Sequence, residues 1–210
     1  MLKTYLILAL VFMAGQLLAQ GRQVAECTIV YQLFVADKPV GEPRDPVLQQ
    51  SLKTIYVKGN QIRVDLKSPD ISQTIIYNKS LLSGAVLREI GDARYLTRLN
   101  PTVWLKLHEK YKEVKTNLVK EKRNIIGYDC LKAELSLPDG TTYHVWYAPN
   151  LVPTVKEFEY QFRQVPGMVL EYESVEDASR KILYRAVSVS LSPVPANKFE
   201  IPTSGYRELD

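Results

Sequence analysis

Histidine and cysteine are the residues best suited to catalysis or metal binding, and this sequence contains two of each. His108 and His144 stand in no HExxH arrangement, and the cysteines form no CxxC pair, so the usual spacing of metal ligands is missing. The sequence also has no GxSxG nucleophile elbow, no P-loop and no GxGxxG motif. A dyad of Cys130 and His144 would need an orienting third residue, and none is marked. We therefore expect no metal site, no cofactor and no enzymatic activity.

The two cysteines admit two interpretations. In an oxidising compartment, Cys27 and Cys130 predict a disulfide that closes a loop of about 100 residues and contributes ~4–5 kcal/mol of stability. The alternative is two separate buried thiols. Strand alternation puts Cys27 on the face of Ile29, but it puts Cys130 on the face of Lys132. Both thiols would point the same way only with a bulge near Gly127.

The charge distribution argues against a nucleic-acid partner. The 27 lysines and arginines only slightly exceed the 23 acidic residues, which gives a formal net charge of +4. One basic cluster consists of Lys115, Lys120, Lys122 and Arg123. Glu113 and Glu121 dilute it, whereas nucleic-acid-binding proteins concentrate their positive charge on one face. We interpret these charges as solvated faces of strands.

The N-terminus has the features of a secretory signal peptide. Lys3 provides the positive start, residues 5–18 are almost wholly apolar, and Ala19 is a suitable small residue before the cleavage point. The apolar run is shorter than the ~20 residues that cross a bilayer. We predict that residues 1–19 are removed and that residues 20–210 form one soluble β-rich domain. That domain would be exported to the periplasm or cell envelope, with no transmembrane span.

The rest of the chain predicts one strand after another. Gly59-Asn60 between two apolar runs indicates a tight hairpin, and Pro138-Asp139-Gly140 indicates another turn. Apolar residues alternate with polar ones in most of the runs, which is typical of strands with one buried face. The predicted strands cover residues 23–35, 52–58, 61–67, 73–77, 85–90, 95–99, 115–123, 126–137, 141–148, 168–174 and 181–191.

One helix is predicted, starting at Asn100-Pro101. Asparagine is a good N-cap, and proline suits the first helical position. The apolar residues that then share one face are Val103, Trp104, Leu107, Tyr111 and Val114. Residues 154–165 fit either a short helix or a strand, and the alternation of their aromatic residues slightly favours a strand.

These elements predict a mainly β protein: a strongly curved antiparallel sheet, or half-open barrel, covered by one amphipathic helix. The predicted lining of the concave face consists of Ile62, Val64, Leu66, Leu131, Ala133 and Leu135, with Trp104 and Leu107 of the helix closing one side. Such a layer would accept an acyl chain at ~0.8 kcal/mol per buried methylene. The same layer, closed, is an ordinary core.

Three blocks of sequence resemble the GLPGLI family of exported envelope proteins. They are IGYDCLKA at residues 126–133, VWYA at residues 145–148 and VPGMVLE at residues 165–171. A related uncharacterised family shares the GYxC and WY blocks and fits equally well. The resemblance implies an envelope location and a half-barrel fold like that of the lipoprotein carrier LolA. It implies no activity and supplies no catalytic residues.

The sequence therefore predicts a non-enzymatic exported protein that binds an apolar ligand, a lipid or a peptide, in a curved sheet. The alternative is a structural or protein-interaction component of the cell envelope with a filled core and no ligand. In both cases the expected partner is a lipid or another envelope protein. An open apolar cavity would favour the first function, and a fully packed interior would favour the second.

Overall fold

The computed structural model describes residues 21–36, 45–177 and 180–209, and the predicted signal peptide lies outside them. The strands are β1 (Arg22–Val24), β2 (Glu26–Val35), β3 (Leu52–Lys58), β4 (Gln61–Lys67), β5 (Ile71–Asn78), β6 (Ser83–Ile90), β7 (Ala93–Leu99), β8 (Lys115–Ile125), β9 (Tyr128–Ser136), β10 (Thr142–Ala148), β11 (Leu151–Pro153), β12 (Met168–Asp177), β13 (Arg180–Ser190) and β14 (Arg207–Leu209). The helices are α1 (Pro46–Gln49) and α2 (Pro101–Leu107), and 3₁₀ turns cover Glu109–Tyr111, Glu157–Phe162 and Ala196–Phe199.

Twelve of these strands form one sheet, in the order β14-β7-β6-β5-β4-β3-β2-β13-β12-β10-β9-β8. Its pairings are antiparallel except for β14 with β7, while β1 and β11 form a separate parallel pair. Within the described residues the sheet does not close on itself, because β14 and β8 end the order. The prediction of a mainly β, half-open curved sheet is confirmed.

The cross-strand register divides the sheet into two faces, since directly opposed residues point the same way. One face, which we call the inner face, carries Ile62, Ile55, Tyr31, Tyr184, Tyr172, Val145 and Ala133. These side chains belong to one continuous buried apolar cluster. The hairpin of β3 and β4 has the predicted bounds, and Gly59 in its turn has the positive φ of 56° that such a turn requires.

The opposite, outer face has a smaller apolar cluster of its own. Ile76, Ala85, Leu87 and Leu96 of β5 to β7 pack there against Val194 and Phe199 of the C-terminal segment. Three hydrogen bonds fix that segment: Val194 N–H to Glu26 at 2.7 Å, Arg63 to the Lys198 carbonyl at 2.9 Å, and Tyr206 OH to Glu89 at 2.5 Å. This covering segment was not predicted from the sequence.

The helix starts where it was predicted but ends early. The Asn100 side chain caps α2 by accepting the Val103 N–H at 3.0 Å. The helix ends at Leu107 because His108 leaves helical geometry (φ −111°, ψ 11°). The predicted continuation to Val114 is therefore wrong. Trp104 is buried, whereas the side chain of Leu107 is 51% exposed.

Residues 154–165, which we call the cover segment, contain 3₁₀ turns over Glu157–Phe162 and no strand, so the slight preference for a strand is wrong. A strand here would need a neighbouring edge, but β10 and β12 already pair with each other. The segment instead buries Val155, Phe162 and Val165. The chain then returns to the sheet at Gly167, where a Cβ would collide with the carbonyl oxygen of Ala148.

The predicted disulfide is not formed, because both cysteines are free and buried. Cys27 in β2 and Cys130 in β9 are four strand spacings apart along the sheet, about 19 Å, whereas a bridge needs Cα atoms within about 7 Å. Cys130 also opposes Arg123, which belongs to the outer face. The anticipated bulge lies within β8, between Val119 and Lys122 rather than at Gly127, and it leaves the two thiols on different faces.

Candidate ligand-binding site

The predicted lining residues mostly lie on the inner face. Ile62, Val64, Ala133 and Leu135 are buried there, and Leu66 and Leu131 pack against the same cluster while partly exposed. Trp104 covers one end of this face by stacking on Tyr77, with ring centroids 3.9 Å apart and planes 8° apart. Leu107 is the exception, since it points away from the cluster into solvent. A ligand-binding role for these residues stays a prediction.

A lysine interrupts the apolar inner face near its middle. Lys53 opposes Tyr31 on one side and Leu66 on the other, so its register directs its side chain inward. Its side chain is only 13% exposed, and its Nζ donates a hydrogen bond of 2.7 Å to the hydroxyl of Tyr172. The Nζ also lies 5.2 Å and 5.3 Å from the ring centroids of Tyr172 and Tyr184, within cation–π range.

The counterion of this lysine comes from the cover segment. Glu159 forms a salt bridge with Lys53, and its side chain is 11% exposed. Its backbone (φ −126°, ψ 79°) interrupts the 3₁₀ conformation and divides Glu157–Phe162 into two turns. Glu159 also accepts hydrogen bonds from Tyr172 OH at 3.4 Å and from Gln161 at 3.3 Å. The sheet thus supplies the cation and the cover supplies the anion.

Aromatic rings surround the ion pair. Tyr172 stacks on Tyr184 with centroids 4.7 Å apart, and it meets the edges of Phe162 and Tyr31 at 4.9 Å and 5.9 Å. Burial raises the pKa of Tyr172 well above its usual value, and the Glu159 carboxylate adds to this effect. Burial and Glu159 raise the pKa of Tyr31 in the same way. Both hydroxyls therefore stay protonated and can donate hydrogen bonds.

The inner face carries two further hydroxyls, those of Tyr143 and Thr116. Both residues are directly opposite Leu135 of β9, Tyr143 on β10 and Thr116 on β8. Neither Tyr143 OH nor Thr116 Oγ1 has a hydrogen-bond partner among the described residues, although both atoms are buried. Burial raises the pKa of Tyr143, with smaller contributions from Tyr111 and Glu159. Buried polar groups usually have hydrogen-bond partners, so the Tyr143 and Thr116 hydroxyls are exceptions.

His108 connects the helix with the cover segment. Its ring centroid lies 4.2 Å from that of Trp104 and 5.1 Å from that of Tyr160. Its Nδ1 lies 2.9 Å from the carbonyl oxygen of Trp104. Burial lowers the pKa of His108, against smaller raising effects of that hydrogen bond and of Glu159. A cavity of about 280 Å³ beside it is bordered by Leu105 and Lys112.

The outer face carries a second charged cluster, which is fully paired. Glu171 is buried on this face and forms salt bridges with Arg123 and Arg185. The Arg123 guanidinium also lies over the ring of Trp146, at 4.4 Å from its centroid. Strand alternation places Glu171 on the outer face, but nothing in the sequence indicates that it is buried there. With both arginines satisfied by one carboxylate, this cluster serves the sheet itself.

The described part of the chain shows neither a cluster of metal ligands nor a membrane-spanning helix. Residues 21–36, 45–177 and 180–209 contain no group of three or more histidine, cysteine or acidic side chains placed to hold a metal ion. Over the same residues, no helix has the length and apolar character needed to span a membrane.

Comparison with known proteins gives only distant structural likenesses. Neither a protein-family model nor a curated protein matches the sequence, so the resemblance to the GLPGLI family stays a prediction. The solved structure of MucB overlaps with a TM-score of 0.40 at 11% identity, over 88% of this chain and 59% of MucB. The LolA superfamily protein NE2245 from Nitrosomonas europaea gives 0.35 at 12% identity, over 87% of this chain and 93% of that protein. Neither likeness assigns a function to this chain.

The Lys53–Glu159 pair was not predicted from the sequence. One signal was present: Lys53 shares the alternation of Ile55 and Val57, so a charged residue stood on a face otherwise expected to be buried. No such signal marked Glu159, because residues 154–165 fitted either a helix or a strand and their alternation only slightly favoured a strand.

Proposed function

We propose that this chain is an exported, non-enzymatic protein of the periplasm or cell envelope that binds one apolar ligand, a lipid or a peptide, on the inner face of its sheet. The observation that carries the proposal is the nature of the cover over that face. Strands of one large sheet present a continuous apolar layer. A pair of kinked 3₁₀ turns, rather than a second sheet, lies over it.

The contacts that hold the cover segment over the sheet are of a kind that a ligand could replace. Backbone hydrogen bonds within the segment join Arg163 to Tyr160 and Val165 to Phe162. Its contacts with the large sheet come from side chains, through the Lys53–Glu159 ion pair and the Phe162–Tyr172 rings. At its two ends, Thr154 N–H donates to the Val24 carbonyl oxygen of β1 at 3.0 Å and Arg163 donates to the Tyr111 carbonyl oxygen at 2.7 Å. Relative to two solvated charges, a buried ion pair adds little net stability, so this pair holds the cover firmly only while Lys53 stays buried without another counterion. An apolar ligand that occupied the volume of Phe162 would compensate for the loss of the cover's own apolar contacts.

A filled interior supports the alternative function, a structural or protein-interaction component of the cell envelope. In the closed form, most of the predicted lining side chains are already buried. If the cover never leaves, the inner face is an ordinary core and presents nothing to a ligand. The two functions therefore differ in whether the cover segment can be exchanged for a ligand.

The test is uptake of an uncharged apolar fluorophore by residues 20–210, together with mass spectrometry of lipids that co-purify from the native envelope. We expect a co-purifying lipid or saturable uptake, and stronger uptake by Phe162→Ala, which removes a buried ring of the cover. Val187→Ala is the matched control, because Val187 is 45% exposed. Absence of lipid, with no uptake by the wild type or by Phe162→Ala, would leave only the filled-core function.

A further inference from the structure

The two partners of the buried ion pair differ in how firmly they are held. Lys53 belongs to β3, and its ammonium contacts Tyr172 of β12 and Tyr184 of β13, so three strands of the sheet fix its position. Glu159 belongs to the cover segment, at the point where the 3₁₀ conformation is interrupted. If the cover moves, the carboxylate moves with it and the ammonium stays.

A buried ammonium without a counterion is strongly unfavourable, because the low-dielectric interior does not replace its hydration. Displacement of the cover by a purely apolar ligand would leave Lys53 in that condition. A ligand that carried its own carboxylate would restore the ion pair. It would also accept the hydrogen bond that Tyr172 OH makes to Glu159 in the closed form.

We infer that Lys53 is the receptor for a carboxylate at the end of the ligand's apolar chain, and that Glu159 occupies this position as an internal substitute in the closed form. The inference rests on the proposed function and specifies its ligand class: a long-chain fatty acid, or an apolar peptide with a free C-terminus. The row of Tyr143 and Thr116 supports a polar ligand group on the same face. Its two buried hydroxyls have no partner among the described residues.

The internal carboxylate acts as a tethered competitor. A group linked to its site through a short segment has an effective concentration of the order of millimolar, so a free ligand must outcompete it. Removal of the Glu159 charge removes this competitor and should therefore raise the affinity for every ligand that displaces the cover. The preference for a carboxylate ligand over an uncharged one depends on Lys53, so it should survive the loss of the Glu159 charge.

The experiment compares oleate with methyl oleate, by competition against the uncharged fluorophore, in the wild type and in Glu159→Gln. We expect the wild type to prefer oleate over methyl oleate, and we expect Glu159→Gln to bind both about tenfold more tightly, a difference of about 1.4 kcal/mol, while it keeps that preference. Glu134→Gln is the matched control, since its side chain is 40% exposed on another strand. An apolar peptide as the free acid and as the amide forms a second pair, which separates peptide from fatty-acid ligands.

Lys53→Met should abolish the preference for oleate over methyl oleate, and Lys53→Arg, which keeps the charge, should retain it. Lys53→Arg therefore keeps the test decisive even if Lys53→Met fails to fold. Equal binding of both members of each pair by the wild type, no gain for oleate in Glu159→Gln, or loss of the preference in Lys53→Arg would overturn this inference and leave the proposed function standing. Failure of every ligand to bind any variant would overturn both.

Discussion

Trp104 and Tyr77 stack face to face at 3.9 Å between ring centroids, and this contact fastens α2 to the inner face of the sheet. Trp104 is 6% exposed, so its replacement by alanine leaves a large cavity against Tyr77. We predict that Trp104→Ala lowers the free energy of unfolding by ~3–5 kcal/mol, measured by urea denaturation.

Leu107→Ala serves as the control for this prediction, because Leu107 lies on the same short helix but is 51% exposed. Its effect should stay within about 0.5 kcal/mol. An equally small effect of Trp104→Ala would mean that the Trp104 ring is not packed in the folded chain.

The free cysteines lead to a second prediction. Burial raises the pKa of Cys27 to about 12 and that of Cys130 to about 11, so both stay as unreactive thiols near neutral pH. A thiol reagent should label neither residue in the native chain and two thiols per chain after denaturation without reductant. Denatured protein without any reactive thiol would mean that Cys27 and Cys130 are bridged after all.

The features that were predicted correctly from the sequence depend on residues that are close together along the chain. The hairpin of β3 and β4 was predicted at its bounds, because alternation and the Gly59-Asn60 turn act over a few residues. The start of α2 was predicted from its cap for the same reason. Its end was not, because the apolar periodicity continues beyond the point where His108 departs from helical geometry.

The parts of the site that escaped prediction depend on distant contacts. Lys53 and Glu159 are 106 positions apart in the sequence, and alternation around either residue cannot identify the other. Glu171 illustrates the same limit. Its strand alternation correctly gives the outer face, but its burial depends on Arg123 and Arg185 of two other strands.

Glu171 provides a third prediction. It is the shared counterion of Arg123 and Arg185, whose side chains are 38% and 35% exposed. Glu171→Gln would leave two like charges close together around a neutral amide. We predict a loss of about 1–3 kcal/mol, less than for a fully buried pair because solvent screens the arginines.

The readout is urea denaturation at low and high salt. Added salt should recover part of the loss in Glu171→Gln, because it screens the repulsion between the arginines. Glu134→Gln, at an exposed position, is the control and should change stability little. A loss in Glu171→Gln that does not respond to salt would argue against charge repulsion as its cause.

A fourth prediction concerns processing. The apolar run of residues 5–18 followed by Ala19 predicts cleavage after Ala19. Intact-mass measurement of the protein recovered from the cell envelope should therefore show residues 20–210. A mass that retains residues 1–19 would contradict export by a cleaved signal peptide.

The fifth prediction concerns pH and follows from His108. Burial lowers its pKa below the ordinary value of 6.5 that it regains in the unfolded chain. Between the two pKa values, the unfolded chain therefore binds more protons than the folded chain. Stability must then fall as the pH falls through about 6.5, and the loss must level off below the folded pKa.

Replacement by glutamine isolates this contribution, since His108→Gln removes the titrating group and keeps a polar side chain beside the Trp104 carbonyl. We predict that wild-type stability declines between about pH 7.5 and pH 5.5 and that His108→Gln declines less. His144→Gln is the matched control, because the His144 side chain is 43% exposed on a strand.

Because His108 contacts Tyr160 of the cover segment, the same acid range should also loosen the cover and increase uptake of the uncharged probe. Parallel pH profiles for the wild type and His108→Gln would show that burial of His108 is not linked to folding.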